Sequence, residues 1–397
     1  MRRTLTILAI AIVLIGISVF IYFYFFATKA TITVAPGGAG LPVAGQGTTP
    51  TTDVNTTLPG EPTPVTARLV KVSVGPVVLG ESVINIRVAS SSPPEAAVSY
   101  IERQSGNVFS YSPSAGTITR TSNQTVPGIQ SAAWLPNGAT ALVRYLSGDD
   151  FSTINTYALP ATSGSTEGYF LPQNLADIDV SSTSVLTLAS GVNGSVASLG
   201  GVSNTRTTQI FTTPLSELHV SFAGKSHYLA YTKPSAALPG AAFIVDAAGT
   251  FSRISGPQSG LVALASHSGK WLLVSYTENN LFQMELVNTA TGDITSLPVA
   301  TIADKCVWTA DDSAIYCGIP VDPSTEYSYP DDWYQGAVSF SDRIWKIDVA
   351  GRYAQLVLDF PTETDSSLDA TALAIDPLNT TLVFVNKNDS SLWSYQL

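Results

Sequence analysis

The sequence predicts an all-β chain. It reads as a seven-bladed β-propeller whose N-terminal strand closes its last blade, carried behind one transmembrane helix and a flexible linker. Three observations predict this. Turn-forming clusters recur at a nearly constant spacing, each cluster is followed at once by a short alternating apolar strand, and one strand is spare before the first unit while one is missing from the last.

The N-terminus comes first in the chain. Arg2 and Arg3 precede an uncharged run of 24 residues, Thr4 to Ala27. Such a run is long enough to cross a hydrocarbon core of about 30 Å as a helix, and longer than the apolar region of a cleaved signal peptide. Basic residues favour the cytoplasmic side. Residues 1–3 are therefore expected in the cytoplasm, 4–27 in the cytoplasmic membrane, and everything after them outside. Residues 28–66 are dominated by Gly, Pro and Thr, with no aromatic after Ala35. They bury too little apolar surface to offset chain entropy, and are expected to be a tether.

Beyond Arg68 the turns centre near Pro93, Asn137, Thr183, Gly224, Gly269, Asp312 and Asn379, so successive separations are 44, 46, 41, 45, 43 and 67 residues. The following strands read AVSYI, ALVRYL, VLTLAS, YLAYTK, WLLVSY, AIYCGI and LVFVNK. A period of about 40–45 residues with four short strands per unit marks propeller blades. Blade three is poorly marked around Gly191 to Ser203, and blade two has no clean fourth strand. The seventh unit ends after its third strand, LWSYQL, while a spare strand, Ala67 to Ser73, stands before the first unit. Joining the two closes the ring and removes open sheet edges. A pair of sandwiches would explain the alternation but neither the period nor the spare strand.

Composition limits function. Charged residues are 12% of the chain and the net charge is −11, with no basic patch, which argues against a nucleic-acid partner. The only two cysteines, Cys306 and Cys317, flank the tight turn of blade six. A hairpin centred between Asp311 and Asp312 sets them opposite one another, at a separation suited to a disulfide. Outside the membrane that pair is expected to be oxidised. A zinc site needs four ligands, and His219, His227 and His267 lie in other blades.

The segments WTADDSAIYC, WLPNGATALVRY and SHSGKWLLVSY resemble the W-[ST]-P-D-G-x-x-[IL] pattern of TolB-like and WD-repeat-like bacterial propellers. The resemblance covers most of the chain from about residue 68 and implies protein binding at one face of a ring. The run YPDDWYQGAVSFSDRIWKID resembles a segment of uncharacterised membrane-anchored propellers from small-genome bacteria. The N-x-[ST] triplets at Asn55, Asn123, Asn193, Asn379 and Asn388 matter only in a eukaryotic secretory pathway, so the bacterial resemblance makes them chance matches.

The 67-residue gap marks an insertion in blade six, Pro320 to Asp342. It carries Tyr327, Tyr329, Trp333 and Tyr334 beside Asp331, Asp332 and Asp342. Aromatic side chains are enriched at recognition hot spots. Tyr329, Asp331, Asp332, Trp333 and Tyr334 are the expected partner-binding residues, against the alternative that the insertion packs over a neighbouring blade or plugs the channel. No catalytic, cofactor-binding or metal-binding residue is assigned. The chain has no G-x-S-x-G, no H-E-x-x-H and no phosphate-binding Gly loop. The Asp177-Ile178-Asp179 stretch reads as a solvated turn, and the three histidines as packed or surface residues. The expected function is a non-enzymatic binding or scaffold module for a protein or an envelope polymer. The alternative is a glycan hydrolase or lyase using carboxylates at the channel mouth. Convergence of acidic residues with raised pKa values at one funnel would favour the enzyme.

Overall fold

The computed structural model describes residues 67–397 apart from 88, 123, 125, 163–167 and 203–205. The expected membrane span at 4–27 and the linker at 28–66 lie outside the described residues. Among the described residues no helix is long and apolar enough to cross a membrane.

Seven four-stranded antiparallel sheets follow one another along the chain. The first six are plain meanders whose innermost strands are Ser82–Ile86, Ile129–Trp134, Leu175–Val180, Leu218–Ala223, Val262–Ala265 and Cys306–Trp308. The seventh begins with Ala370–Ile375, continues through Thr381–Asn386 and Ser391–Gln396, and takes its fourth strand, Leu69–Lys71, from the start of the ring. The closing register pairs Leu69 with Tyr395 and Lys71 with Trp393. Arg68 adds a guanidinium donor to the Gln396 carbonyl, and Lys71 meets Asp389 at 2.9 Å. The strand exchange therefore runs where the spare strand and the short seventh unit predict it.

All seven turn centres fall between the first and second strands of successive sheets. The turns nest against each other from blade to blade. Gly224 and Gly269 hold φ of +76° and +74°, and a Cβ there would meet the carbonyl oxygens of Ser268 and Ala223 at 2.4 Å. Asp312 (φ +58°) extends the same seam. Its carboxylate accepts the backbone N–H groups of His267 and Ser268 at 2.9 Å each. The W-T-A-D-D motif thus ties blade six to blade five. The two irregular blades are also explained. Blade two ends in a two-residue strand, Tyr169–Phe170, and the Gly-Ser stretch of blade three forms an ordinary hairpin between Ser184–Gly191 and Gly194–Gly201.

The core lies between faces of adjacent blades. Its largest cluster joins blades four, five and six through Leu229, Leu261, Leu273, Trp308 and Ile347. In blade six Cys306 is in register with Cys317, and a disulfide joins them.

Candidate functional site

In a four-stranded meander, the loop between second and third strands lies at the same end as the crossover to the next blade. The blade-six insertion, the residues ahead of each innermost strand, and the ends of the second strands therefore share one face. This is the mouth of the ring, and its acidic residues fall into two groups.

The first group is sealed. Lys305, Asp342 and Asp369 are fully buried. The Lys305 ammonium bonds Asp342 at 2.8 Å and also bonds Asp369. Asp369 accepts the indole N–H of Trp333 at 3.0 Å and the backbone N–H of Phe340 at 3.0 Å. Asp342 accepts the N–H of Ala370 at 2.7 Å. Burial pushes the Asp342 carboxyl up to about 6, against the pull of Lys305. The ammonium nitrogens of Lys305 and Lys387 stand 4.9 and 5.0 Å from the centre of the Trp333 ring. Buried charges persist only when paired and hydrogen-bonded, and this group ties the insertion to blade seven.

The insertion reaches further round the ring. Asp331 accepts the N–H of Ala236 in blade four. Thr277 of blade five donates to the Tyr329 carbonyl at 3.3 Å, and Asn280 donates to that of Thr325 at 3.0 Å. Tyr329 is 1% and Trp333 3% exposed, whereas Tyr334 keeps 41%. Of the five expected partner-binding residues, the two largest buried rings hold the insertion down. Asp332 closes the local turn by accepting the N–H of Ser328, and Tyr334 alone is exposed by more than a third.

The second group is open. Asp177 and His219 come from the innermost strands of blades three and four, and Tyr231 from the second strand of blade four. Asp304 precedes the innermost strand of blade six, and Tyr334 belongs to the insertion. The His219 Nδ1 lies 3.2 Å from the Asp177 carboxylate, and its ring stacks on Tyr231 at 5.1 Å. Tyr334 donates its hydroxyl proton to Asp304 at 2.5 Å. Asp177 and Asp179 also accept the N–H groups of Val220 and Phe222, clasping blade three to blade four. Burial pushes Asp179 up to about 6. The stretch read as a solvated turn is thus corrected: it is an innermost strand, because its carboxylates bond the next blade's backbone.

Electrostatics links these groups across the lumen. Burial works to lower the His219 pKa, but the hydrogen bond and charge of Asp177, with the charge of Asp304, outweigh it, and the net shift is upward. Asp304 is raised by the protein around it, against the Tyr334 hydrogen bond and the His219 charge. The residue is nevertheless exposed. Side chains of blades three, four and six sense one another because they face a common opening. His219 is therefore not merely a packed or surface residue. By contrast, His267 lies 3.6 Å from Asp312 in the turn seam, and His227 lies beside Ser226.

Asp177 holds Nδ1 of His219, which leaves Nε2 as the nitrogen suited to proton transfer. Asp304 supplies a carboxyl whose second oxygen is left free by Tyr334. The face thus carries an imidazole held by one carboxylate and a second carboxyl held by a phenol. Among the described residues no group of three or more His, Cys, Asp or Glu side chains is arranged to hold a metal ion.

No protein-family model matches the chain, and no curated protein matches it. Solved structures do. The chain is similar to an oligogalacturonate lyase from Vibrio parahaemolyticus, at 8% identity and a TM-score of 0.53, over 83% of this chain and 93% of that one. An oligogalacturonate lyase in complex with manganese matches at 8% identity and a TM-score of 0.50, over 81% and 98%. The β-propeller domain of the trilobed protease from Pyrococcus furiosus, described as having an open velcro topology, matches at 7% and 0.51, over 81% and 95%. Here the velcro is closed by Leu69–Lys71. These identities show the fold, a seven-bladed β-propeller. They also correct the expectation of a non-enzymatic module. Two of the neighbours are lyases matched over nearly their whole length, so a propeller needs no added catalytic domain to be an enzyme.

Proposed function

We propose that this propeller cleaves a glycan at the mouth of its channel, with His219 as general acid and Asp304 as general base. The observation that carries the reading is the convergence of Asp177, His219, Asp304 and Tyr334 from three blades and the insertion. An imidazole raised above its ordinary 6.5 keeps a proton to donate from Nε2, while Asp304, raised above the ordinary carboxyl value by burial, has one oxygen free of Tyr334 to accept a proton. Tyr334 orients Asp304, and Asp177 positions His219. The insertion contributes one wall of the site, so that Tyr334 meets the substrate while Tyr329, Asp331, Asp332 and Trp333 hold that wall in place. In this reading residues 4–27 anchor the ring outside the cytoplasmic membrane, where an envelope polymer is the partner at hand and the Cys306–Cys317 pair is oxidised.

The test uses the detergent-solubilised full chain with chitosan, β-glucan and galacturonan oligomers, following fragment release by mass spectrometry. Asp304→Asn is expected to slow cleavage by about 100-fold or more without lowering the melting temperature. A fully active Asp304→Asn protein, or no fragments from any glycan, contradicts the proposal.

A further inference from the structure

We infer that the flank of blade two carries a second glycan subsite, an aromatic platform that takes a pyranose unit by its apolar face and holds the polymer beside the mouth. The choice of a glycan rests on the preceding reading. The platform itself rests on the geometry of blade two.

Strand register builds it. Thr140–Ser147 pairs with Thr153–Pro160, which pairs in turn with Tyr169–Phe170. Tyr145 stands opposite Asn155, Val143 opposite Tyr157, and Tyr157 opposite Phe170. Directly paired residues share a face of the sheet, as do residues two apart along a strand. Tyr145, Asn155, Tyr157 and Phe170 therefore lie on one face. Tyr157 packs against the cluster that includes Ile101 and Val108 of blade one, so this is the face turned toward blade one.

Towards the core that face is filled, and towards the rim it opens. A cavity of about 350 Å³ is lined there by Gln124, Val126, Tyr145, Tyr157 and Phe170, a volume within the range of small-molecule sites. Phe170 is 59% exposed, and its ring meets that of Tyr157 at 4.8 Å with a tilt of 52°. Tyr145 and Phe170 stand near the ends of strands that run toward the mouth, and the crossover carrying Gln124 and Val126 passes at the same end. The cavity thus opens at the mouth end of the ring.

A pyranose ring presents C–H groups on its faces and hydroxyls around its edge. Its faces settle on aromatic rings, whose negative faces attract polarised C–H groups and whose apolar area is removed from water. Its edge takes donors and acceptors, and amides supply both. Gln124 lines the cavity. Asn155 stands on the same face and accepts an amide N–H of Gln173 at 3.0 Å. Aromatic walls bordered by amides suit one sugar unit, and a polymer seated there is held at the end of the ring where cleavage is proposed.

Affinity electrophoresis of the detergent-solubilised full chain, in gels containing β-glucan, chitosan or galacturonan, reads that hold directly. At least one polymer is expected to retard the parent protein. Tyr145→Ala with Phe170→Ala should weaken the apparent affinity about tenfold or more at an unchanged melting temperature, while Phe170→Tyr keeps it. Phe170→Ala alone, at an exposed position, gives the same reading if the double variant fails to fold. Trisaccharide cleavage, which needs only the mouth, should proceed at the parental rate. Equal retardation of the folded variants, or no retardation of the parent in any of the three gels, overturns the inference. Retention on polyproline in place of every glycan overturns it in favour of an extended peptide. Ring-dependent retardation without cleavage of any glycan leaves the platform standing and overturns the reading of the mouth.

Discussion

Asp304 and Lys305 are neighbours in the chain, and their side chains live in opposite worlds. Lys305 is fully buried, bonded to two carboxylates and stacked near Trp333 and Phe340. Asp304 faces the lumen, bonded to one hydroxyl and in the field of an imidazole in another blade. Both are charged groups at the mouth, yet one can only hold and the other can react. The difference is how completely each is satisfied. A buried charge with every partner in place is locked, since losing any partner leaves an unpaired ion. A half-satisfied carboxyl at a water-filled opening has an oxygen free for chemistry.

The comparison can be broken from either side. The largest effect is expected from Lys305→Met, which strips the counter-ion from two buried carboxylates. Its cost should be about 3–5 kcal/mol, read as a fall in the denaturant midpoint. A variant as stable as the parent would mean that the group is not a lock. Next comes Trp333→Ala, which removes an almost fully buried ring and a donor to Asp369. A loss of about 3–5 kcal/mol is again expected, and Trp333→Phe should recover part of it. Binding loss with unchanged stability would restore Trp333 as a direct contact. Opening the 306–317 link by Cys306→Ser should cost less, about 3 kcal/mol at most for so short a loop.

On the open side the effects are on titration. Tyr334→Phe removes a hydrogen bond that lowers the Asp304 pKa, so the acid limb of the cleavage profile should move to higher pH while the melting temperature stays nearly unchanged. A profile with an unmoved acid limb would detach Asp304 from the rate. The His219 shift carries a sign for stability as well. Its folded pKa is raised, so its contribution is fully present below about 6.5 and fades as pH rises through the folded value. Stability should therefore drift downward as pH rises above about 6.5, and His219→Gln should remove that drift.

Much of the ring was legible because its signal is repeated. Pro93, Asn137, Thr183, Gly224, Gly269, Asp312 and Asn379 each mark one turn, and a period supported seven times survives a weak blade three. The strand exchange was legible because an unpaired edge strand is costly, so a surplus at one end and a deficit at the other had to meet. The site was not legible for a related reason. Asp177, His219 and Asp304 lie in different blades, and only ring closure brings them to one opening, so no local spacing announces them. One signal was available. Glu81, Glu217, Asp304 and Asp369 each stand one or two residues ahead of an innermost strand, at the mouth end of the blade, where Asp304 and Glu217 are exposed and Asp369 is sealed. Reading acidic residues by their phase within the blade, rather than by motif, would have found Asp304. The insertion divides between display and packing: Tyr329 and Trp333 are turned inward, as packing over neighbouring blades requires, because the sealed ion group supplies Trp333 with a partner for its indole N–H.

The central claim is that His219 and Asp304, from blades four and six, face each other across the lumen as a coupled acid and base. The sequence holds three histidines, so the titration of each imidazole can be followed by NMR in the full chain and assigned by single substitutions. The account predicts that His219 titrates above 6.5, and that Asp304→Asn lowers its midpoint while leaving those of His227 and His267 in place. A His219 midpoint unmoved by Asp304→Asn would contradict it.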